Sequence, residues 1–250
     1  MNGNAEFSGK SSFVTGAGGG MGLAAALGLL EAGADVTLFD LKDAPADLPA
    51  GADYVQGDVS DEAAVAAAIA ARAEASGRLD YLVNAAGVLW FETDVSAIDI
   101  DIDVWDRVFD INLKSMVHTT RHAVPLMQQA GGGAMVHFST IQCLRGDTKP
   151  QDAYQASKAG MVTLSKSLAI QYAAAKIRSN VILPGPTLSP MQQRWHDDPA
   201  MGQAVADYVP LKRLATPQDM ANACLFLLSD AAGFITGTEL TVDGGVTAMP

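Results

Sequence analysis

The chain has 250 residues, 49% hydrophobic and 18% charged, which fits one α/β domain with a sizeable buried core. Its 16 basic and 28 acidic side chains give a net charge of −12, which repels polyphosphate backbones and argues against a nucleic-acid partner. Its two cysteines, Cys143 and Cys224, lack metal-ligand spacing, so we expect no metal and a cytoplasmic setting. No signal peptide and no membrane-spanning run is expected.

Short apolar runs alternate with Ala-rich periodic stretches, which predicts strands alternating with helices. Strands are expected at 12–14, 36–39, 54–55, 81–83, 135–138, 177–183 and 239–242. Helices are expected at about 20–32, from an N-cap at Asp61 to about Ser76, and at about 103–128, 154–175 and 217–228. This alternation predicts a single α/β domain over 1–250, doubly wound around a parallel sheet with helices on both faces.

A glycine-rich turn, TGAGGGMG at 15–22, joins the first strand to the first helix. Glycines there let the backbone approach a pyrophosphate, and the helix N-terminus supplies N–H groups. Asp40 ends the second strand, where a carboxylate can accept both adenosine ribose hydroxyls and repels a 2′-phosphate. The turn carries no Arg or Lys, and Lys42 is the nearby cation, so we predict NAD rather than NADP.

Further cofactor contacts are predicted where other strands end. Asp58 and Val59 follow the third strand and are expected near the adenine, although Asp58 also fits a solvated position before a helix. The segment from Asn84 through Ala85 to Gly87 follows the fourth strand, and its small residues allow the chain to pass close to a cofactor.

Tyr154 and Lys158 form a Tyr-x-x-x-Lys pair at the start of the helix after the fifth strand. Their spacing places both side chains on one helical face. Reduction of a ketone needs a proton donor, and an ordinary phenol, with a pKa of about 10, exchanges protons poorly near neutrality. We expect the Lys158 ammonium and a positive nicotinamide to lower the pKa of Tyr154.

At this point the chain resembles the short-chain dehydrogenase/reductase family over essentially its whole length. The matching motifs are TGAGGGMG at 15–22, NAAG at 84–87, DINL at 110–113, YQASK at 154–158, PGP at 184–186 and FITGTELTVDGG at 234–245. The resemblance implies a seven-stranded Rossmann fold and a catalytic Asn-Ser-Tyr-Lys tetrad. Asn112, Tyr154 and Lys158 match three members, as the water-holding Asn, the acid/base and the residue that binds the nicotinamide ribose.

The fourth member departs from the family pattern, because no Ser stands 13 residues before Tyr154. Ser139 and Thr140 end the fifth strand, and neighbouring strand residues point to opposite faces, so one of them can meet Tyr154. We favour Thr140 as the hydroxyl that polarises the carbonyl oxygen.

Past the sixth strand, Pro184, Gly185 and Thr187 resemble the family segment that contacts the cofactor, and Ser189 is an alternative to Thr187. The full predicted cofactor set is Gly16, Gly20, Met21, Gly22, Asp40, Asp58, Val59, Asn84, Ala85, Gly87, Tyr154, Lys158, Pro184, Gly185, Thr187 and Ser189.

The segment 187–208 is expected to form a lid over a small-molecule alcohol or ketone. The predicted substrate contacts are Gln142, Cys143, Leu144, Met191 and Trp195. Arg145 and Arg194 can pair with an acidic substrate group, but solvated arginines are the favoured interpretation.

The leading hypothesis is an NAD-dependent secondary-alcohol dehydrogenase or carbonyl reductase. The alternatives are a 3-oxoacyl thioester reductase, a non-catalytic NAD-binding sensor, and a methyltransferase, for which the Tyr-x-x-x-Lys pair has no use. The resemblance also implies a homotetramer or homodimer formed through the long helix before the fifth strand and the helix of Tyr154. The small residues Ala156, Ala159, Gly160 and Thr163 are compatible with close helix approach.

Overall fold

The computed structural model describes residues 6–49 and 52–250. Seven strands form one sheet in the order β3-β2-β1-β4-β5-β6-β7, and every neighbouring pair is parallel. The strands are β1 Ser11–Thr15, β2 Asp35–Asp40, β3 Asp53–Gln56, β4 Tyr81–Asn84, β5 Gly133–Phe138, β6 Ile177–Pro184 and β7 Glu239–Val242. The strand order reverses between β1 and β4, so a crevice opens at their carboxyl ends. This confirms the predicted fold class.

Helices cover both faces of the sheet. They are α1 Gly20–Glu31, α2 Glu62–Ser76, α3 Ile102–Phe109, α4 Ser115–Gln129, α5 Asp152–Gln171, α6 Gln193–Asp197, α7 Pro199–Tyr208 and α8 Pro217–Leu228. Val14 packs with α1 and α8, whereas its neighbour Phe13 packs with α2, α4 and α5. Adjacent strand residues thus fill two separate cores, which is why the strands are apolar on both faces.

The helix predicted at about 103–128 is interrupted. Between α3 and α4, Asp110–Lys114 form a π-helical turn that contains Asn112. The π turn covers only five residues within a longer helical stretch, which is too short for the apolar periodicity to indicate it. The helix predicted to run to about Ala175 ends at Gln171 and is followed by a 3-10 turn, Ala173–Ala175.

The N-cap predicted at Asp61 agrees with the structure. The Asp61 carboxylate caps α2 by accepting hydrogen bonds from the N–H groups of Ala63 and Ala64, at 2.9 and 3.2 Å. The predicted lid segment contains a 3-10 turn at Pro190–Gln192 followed by α6 and α7. In the part of the chain that is described, no helix is long and apolar enough to cross a bilayer.

Candidate active site

Two adjoining cavities lie at the carboxyl ends of the strands. The first, of about 360 Å³, runs from the glycine-rich turn to the end of β4, and we call it the cofactor cavity. The second, of about 200 Å³, lies between Tyr154 and the lid, and we call it the substrate cavity. Met21, Leu89, Ser189 and Met191 line both. A groove of about 520 Å³ between α2 and α4 contains none of the predicted site residues.

The glycine-rich turn forms one wall of the cofactor cavity because its glycines permit close packing. Gly16 has a φ of +68°, and a Cβ there would lie 2.6 Å from the Ala86 nitrogen. A Cβ at Gly22 would lie 2.2 Å from the Gly16 carbonyl oxygen. Both positions therefore require glycine, and the first turn of α1 is left open to a ligand.

Asp40 lies at the adenosine end predicted for this cavity. Its carboxylate accepts hydrogen bonds from the N–H groups of Gly18 and Lys42, at 2.8 and 2.9 Å. These bonds hold a negative charge against the turn, as the sequence predicts. The open glycine edge and this carboxylate fit the phosphate and ribose groups of a dinucleotide.

Arg107 also lines the cofactor cavity, although no sequence motif indicated it. It donates hydrogen bonds to Asp58 at 2.8 Å and to Ser60 at 2.7 Å. Burial raises the pKa of Asp58, but the hydrogen bonds from Ser60 and Arg107 outweigh burial and lower it below its usual value. Asp58 is thus a paired but partly exposed carboxylate at the cavity wall.

Most predicted cofactor residues line one of the two cavities. The cofactor cavity is lined by Gly16, Gly20, Met21, Gly22, Asp40, Asp58, Val59, Ala85, Gly87 and Ser189. The substrate cavity is lined by Tyr154, Pro184, Gly185, Thr187 and Ser189. The Thr187 hydroxyl donates to the Gly185 carbonyl at 2.9 Å, whereas Ser189 borders both cavities.

Asn84 and Lys158 line neither cavity. The Asn84 side chain turns into the layer beneath α4, where its amide lies 3.0 Å from His137 Nδ1 and its oxygen accepts a hydrogen bond from Thr119. The Asn84 side chain is thus engaged away from the cavity, and a cofactor contact through its main chain stays a prediction. A Cβ on Gly87 would lie 3.0 Å from Lys158 Nζ and 3.3 Å from Asn112 Oδ1, so both side chains lie directly behind the cavity wall.

Tyr154 and Thr140 both line the substrate cavity, where the Thr140 hydroxyl acts to lower the pKa of the phenol. Ser139 points elsewhere: its hydroxyl donates to the Lys158 carbonyl at 2.8 Å and lies 3.0 Å from Cys143 Sγ. The alternation of strand side chains has separated the two hydroxyls, and Thr140 is the one that contacts Tyr154.

The electrostatics of the pair differ from the sequence-based expectation. Burial raises the pKa of Tyr154 to about 12, and the hydrogen bond from Thr140 opposes it only in part. Burial lowers the pKa of Lys158 to about 8, and its Nζ donates to the Phe138 carbonyl at 2.8 Å. The protein groups alone therefore do not acidify the phenol as predicted, because the low polarity around Tyr154 disfavours its anion.

Asn112 lies close to Lys158, as its motif predicts. Its oxygen accepts a hydrogen bond from the Val88 N–H at 2.8 Å, and its amide donates to the Val88 carbonyl at 3.0 Å. The π turn carries this side chain to the loop after β4.

Asp94 is a site residue that the sequence did not indicate. It is fully buried, and its carboxylate accepts hydrogen bonds from the Ala153 and Tyr154 N–H groups, at 3.0 and 2.9 Å. It therefore caps α5 at the turn that carries Tyr154. Asp94 lies far from α5 in sequence, so no local pattern links the two.

Gln142, Met191 and Trp195 line the substrate cavity as predicted, but Cys143 and Leu144 do not. A 3-10 turn, Ile141–Cys143, follows β5 and turns Cys143 toward Ser139 and the core. Leu144 is 51% exposed on the outside of this turn. Burial raises the pKa of the Cys143 thiol, which makes it a weak nucleophile.

The doubly wound sheet, the glycine-rich turn at its switch point and the buried Tyr–Lys pair beside it define a dinucleotide-binding oxidoreductase. Comparison with known proteins agrees. A family model described as enoyl-(acyl carrier protein) reductase matches residues 16–247. The chain belongs to the short-chain dehydrogenase/reductase family, whose members generally use NAD or NADP.

Named relatives match over nearly their full length. Cis-4-hydroxycyclohexanecarboxylate dehydrogenase of Sinomonas cyclohexanicum is 38% identical, over 97% of this chain and 98% of its own. Cyclopentanol dehydrogenase of Comamonas sp. is 36% identical, over 96% of this chain and 97% of its own. The solved structure of Thermoplasma acidophilum aldohexose dehydrogenase superimposes with a TM-score of 0.91 at 29% identity, covering 99% of this chain and 98% of that chain.

Proposed function

We propose that this oxidoreductase is NAD-dependent and interconverts a secondary alcohol and its ketone, with Tyr154 as the general acid and base. The observation that carries the proposal is the Tyr154 phenol, which lies with Thr140 in the lining of a substrate cavity that adjoins the cofactor cavity. A bound nicotinamide cofactor supplies or accepts the hydride, and Tyr154 exchanges the proton with the substrate oxygen.

The neighbouring groups support this role. The Thr140 hydroxyl can donate to the developing negative charge on the substrate oxygen. We assign to the ammonium of Lys158, directly behind Gly87, the role of favouring the phenolate form of Tyr154 once the cofactor is bound. We assign Asn112 to the support of Lys158, because both side chains lie against the same glycine.

The preference for NAD rests on charge. The Asp40 carboxylate faces the cofactor cavity and is held by two backbone N–H groups, so it cannot easily move away from a 2′-phosphate. Arg107, a cation that can attract such a phosphate, is already paired with Asp58. The residues that would hold the dinucleotide are the glycine-rich turn, Asp40, Asp58 and Val59, with Ser189 and the Pro184–Thr187 segment toward the nicotinamide.

The names of the relatives support small cyclic alcohols as substrates. One acts on a hydroxycyclohexanecarboxylate and another on cyclopentanol, and a substrate cavity of about 200 Å³ suits molecules of that class. Reduction of a 3-oxoacyl thioester on an acidic carrier is disfavoured by the net charge of −12 and by Asp40. A non-catalytic sensor would have no need of the Tyr154, Lys158 and Asn112 constellation.

We further propose a cytoplasmic homo-oligomer, either tetramer or dimer, which light scattering can test. On α5, Ala156 and Thr163 are exposed and Ile170 is 79% exposed, which leaves a surface for helix packing. Gly160 does not belong to that surface, because a Cβ there would lie 2.7 Å from Leu113 of the same chain. Free thiols at Cys143 and Cys224 suit a reducing compartment.

The test is Tyr154→Phe, assayed by the absorbance of reduced cofactor with NAD and a panel of secondary alcohols. We expect kcat to fall by at least about 100-fold, because proton transfer loses its positioned donor. Tyr172→Phe is the matched control, since it removes the hydroxyl of a tyrosine outside both cavities. Equal turnover by wild type and Tyr154→Phe would refute the proposal.

A further inference from the structure

The substrate cavity contains two arginines that differ from the others in their ion pairing. Arg145 and Arg194 both line it. Among residues 6–49 and 52–250, neither has a carboxylate oxygen within 4.0 Å. Every other arginine pairs with a carboxylate, except Arg178, which donates to four backbone carbonyls. In a chain with 28 acidic residues, two arginines without ion pairs in one small cavity call for an explanation.

Arg194 is held in position by neutral groups. Its guanidinium carbon lies 4.0 Å from the centre of the Phe91 ring, and its Nε donates to Gln192 at 3.0 Å. Burial lowers the pKa of Arg194, and the charge of Asp147 opposes this only in part. A stacked, partly desolvated guanidinium with free N–H groups favours an anion in the cavity.

The charged groups around Arg194 determine whether this end of the cavity favours an anion. The only acidic residue that lines the described cavity is Asp147, whose carboxylate accepts hydrogen bonds from the Gln142 amide at 2.7 Å and the Lys149 N–H at 3.1 Å. Two arginines and one carboxylate leave one net positive charge among the lining residues, and the Lys149 ammonium lies 5.3 Å from the centre of the Phe91 ring on which Arg194 stacks. This end of the cavity is therefore positively charged and favours an anion such as a carboxylate.

The rest of the cavity fixes where this anion lies relative to the reacting carbon. Tyr154 lines it from α5, Thr140 lines it from just after β5, and Arg194 lines it from the lid. Leu89, Phe91, Ile141, Met191 and Trp195 supply apolar lining. We infer that the substrate is a small hydroxy or oxo carboxylic acid, whose hydrocarbon framework lies on these apolar side chains while Arg194 binds its carboxylate. This inference rests on the proposed function, because it assigns the oxidised carbon to the Tyr154 end.

The test compares cyclohexanecarboxylate with cyclohexanecarboxamide, which have the same shape and differ in charge. Binding to the protein saturated with NAD is measured by isothermal titration calorimetry. We expect wild type to bind the carboxylate at least about tenfold more tightly, as a charge-assisted hydrogen bond to arginine provides. Arg194→Gln should remove this preference and leave carboxamide binding unchanged. Arg194→Lys should retain part of the preference, because it keeps the charge but not the planar fork.

Arg121→Gln is the matched control, because Arg121 is exposed, pairs with Glu62 and lines neither site cavity. It should leave both affinities unchanged. Equal binding of the two ligands by wild type would overturn the inference. Parallel weakening of both ligands in Arg194→Gln would also overturn it, because that result indicates a purely structural role in the lid.

Binding does not require turnover, so the two proposals fail separately. Tight carboxylate binding with no oxidation of any secondary alcohol would refute the proposed function and retain the anion site. Rapid oxidation of neutral alcohols without any preference for the carboxylate ligand would retain the function and refute the anion site.

Discussion

Thr140 and Ser139 are adjacent in sequence, and we expect substitution of their hydroxyls to show that they differ in function. Thr140→Val removes the hydroxyl that acts to lower the pKa of Tyr154, at nearly constant side-chain volume. Loss of one donor to the substrate oxygen typically reduces kcat by about 100- to 1000-fold. The Thr140 oxygen also accepts a hydrogen bond from the Gln142 N–H at 3.2 Å, so we expect a loss of about 1 kcal/mol in the free energy of unfolding as well.

Ser139→Ala is the comparison. The Ser139 hydroxyl bonds the Lys158 carbonyl within the packed layer between β5 and α5, so its loss should cost about 1 kcal/mol of stability. Because it does not touch Tyr154, kcat/KM should stay within about threefold of wild type, a change of under 1 kcal/mol in the barrier. Thr140→Ser should restore most of the activity.

The assay is kcat/KM for one secondary alcohol that wild type oxidises with NAD, measured beside urea denaturation of each variant. Thr140→Val and Ser139→Ala should thus have similar free energies of unfolding and differ in kcat/KM by about two orders of magnitude. The reasoning is wrong if Thr140→Val keeps activity within threefold of wild type, or if Ser139→Ala loses as much activity as Thr140→Val.

Three further predictions concern charged residues outside this pair. Asp40→Asn should raise the ratio of NADP to NAD kcat/KM by at least about tenfold, because one negative charge leaves the ribose end of the cavity; an unchanged ratio would contradict the role of Asp40. Asp94→Ala should lower the free energy of unfolding by about 2 kcal/mol, since two buried N–H groups lose their acceptor. It should also reduce kcat more than it changes KM. A loss of stability without this fall in kcat, measured by denaturation and steady-state kinetics, would indicate a purely structural role. The hydrogen bonds from Arg213 and the Thr216 N–H hold the pKa of Asp219 well below its usual range. Ionised Asp219 therefore contributes to stability above the unfolded pKa of about 3.9, and this contribution is lost as the pH falls through the folded pKa. Asp219→Asn should therefore destabilise α8 by about 1 kcal/mol at neutral pH, and the gap to wild type should narrow in acid; a gap that is independent of pH in urea titrations would count against this.

Local pattern was enough to predict most of the architecture. The apolar runs and their turns identified all seven strands, and the glycine-rich turn identified the switch point, because strand formation and tight turns depend on neighbouring residues. The π turn at Asp110–Lys114 was missed, since five residues are too short a stretch for the apolar periodicity to indicate it.

The active site likewise has features that local sequence predicts and features that depend on distant segments. The Tyr154 and Lys158 pair could be predicted because four residues on a helix fix a shared face. Its electrostatics could not, because the pKa values of about 12 and about 8 come from burial by many distant segments.

The sequence by itself determined the order of the elements, the glycine wall, the charge at Asp40 and the helical pair. Only the tertiary structure decided which hydroxyl lies beside Tyr154, that Asp94 caps its helix, and that Arg107 pairs beside the cofactor cavity. It also decided that no carboxylate of the described residues pairs with Arg194 in the substrate cavity. These facts depend on where crossover connections return the chain and on the direction of each side chain. Contacts between residues far apart in sequence are fixed by packing of the whole sheet and its helices, and no local pattern encodes them.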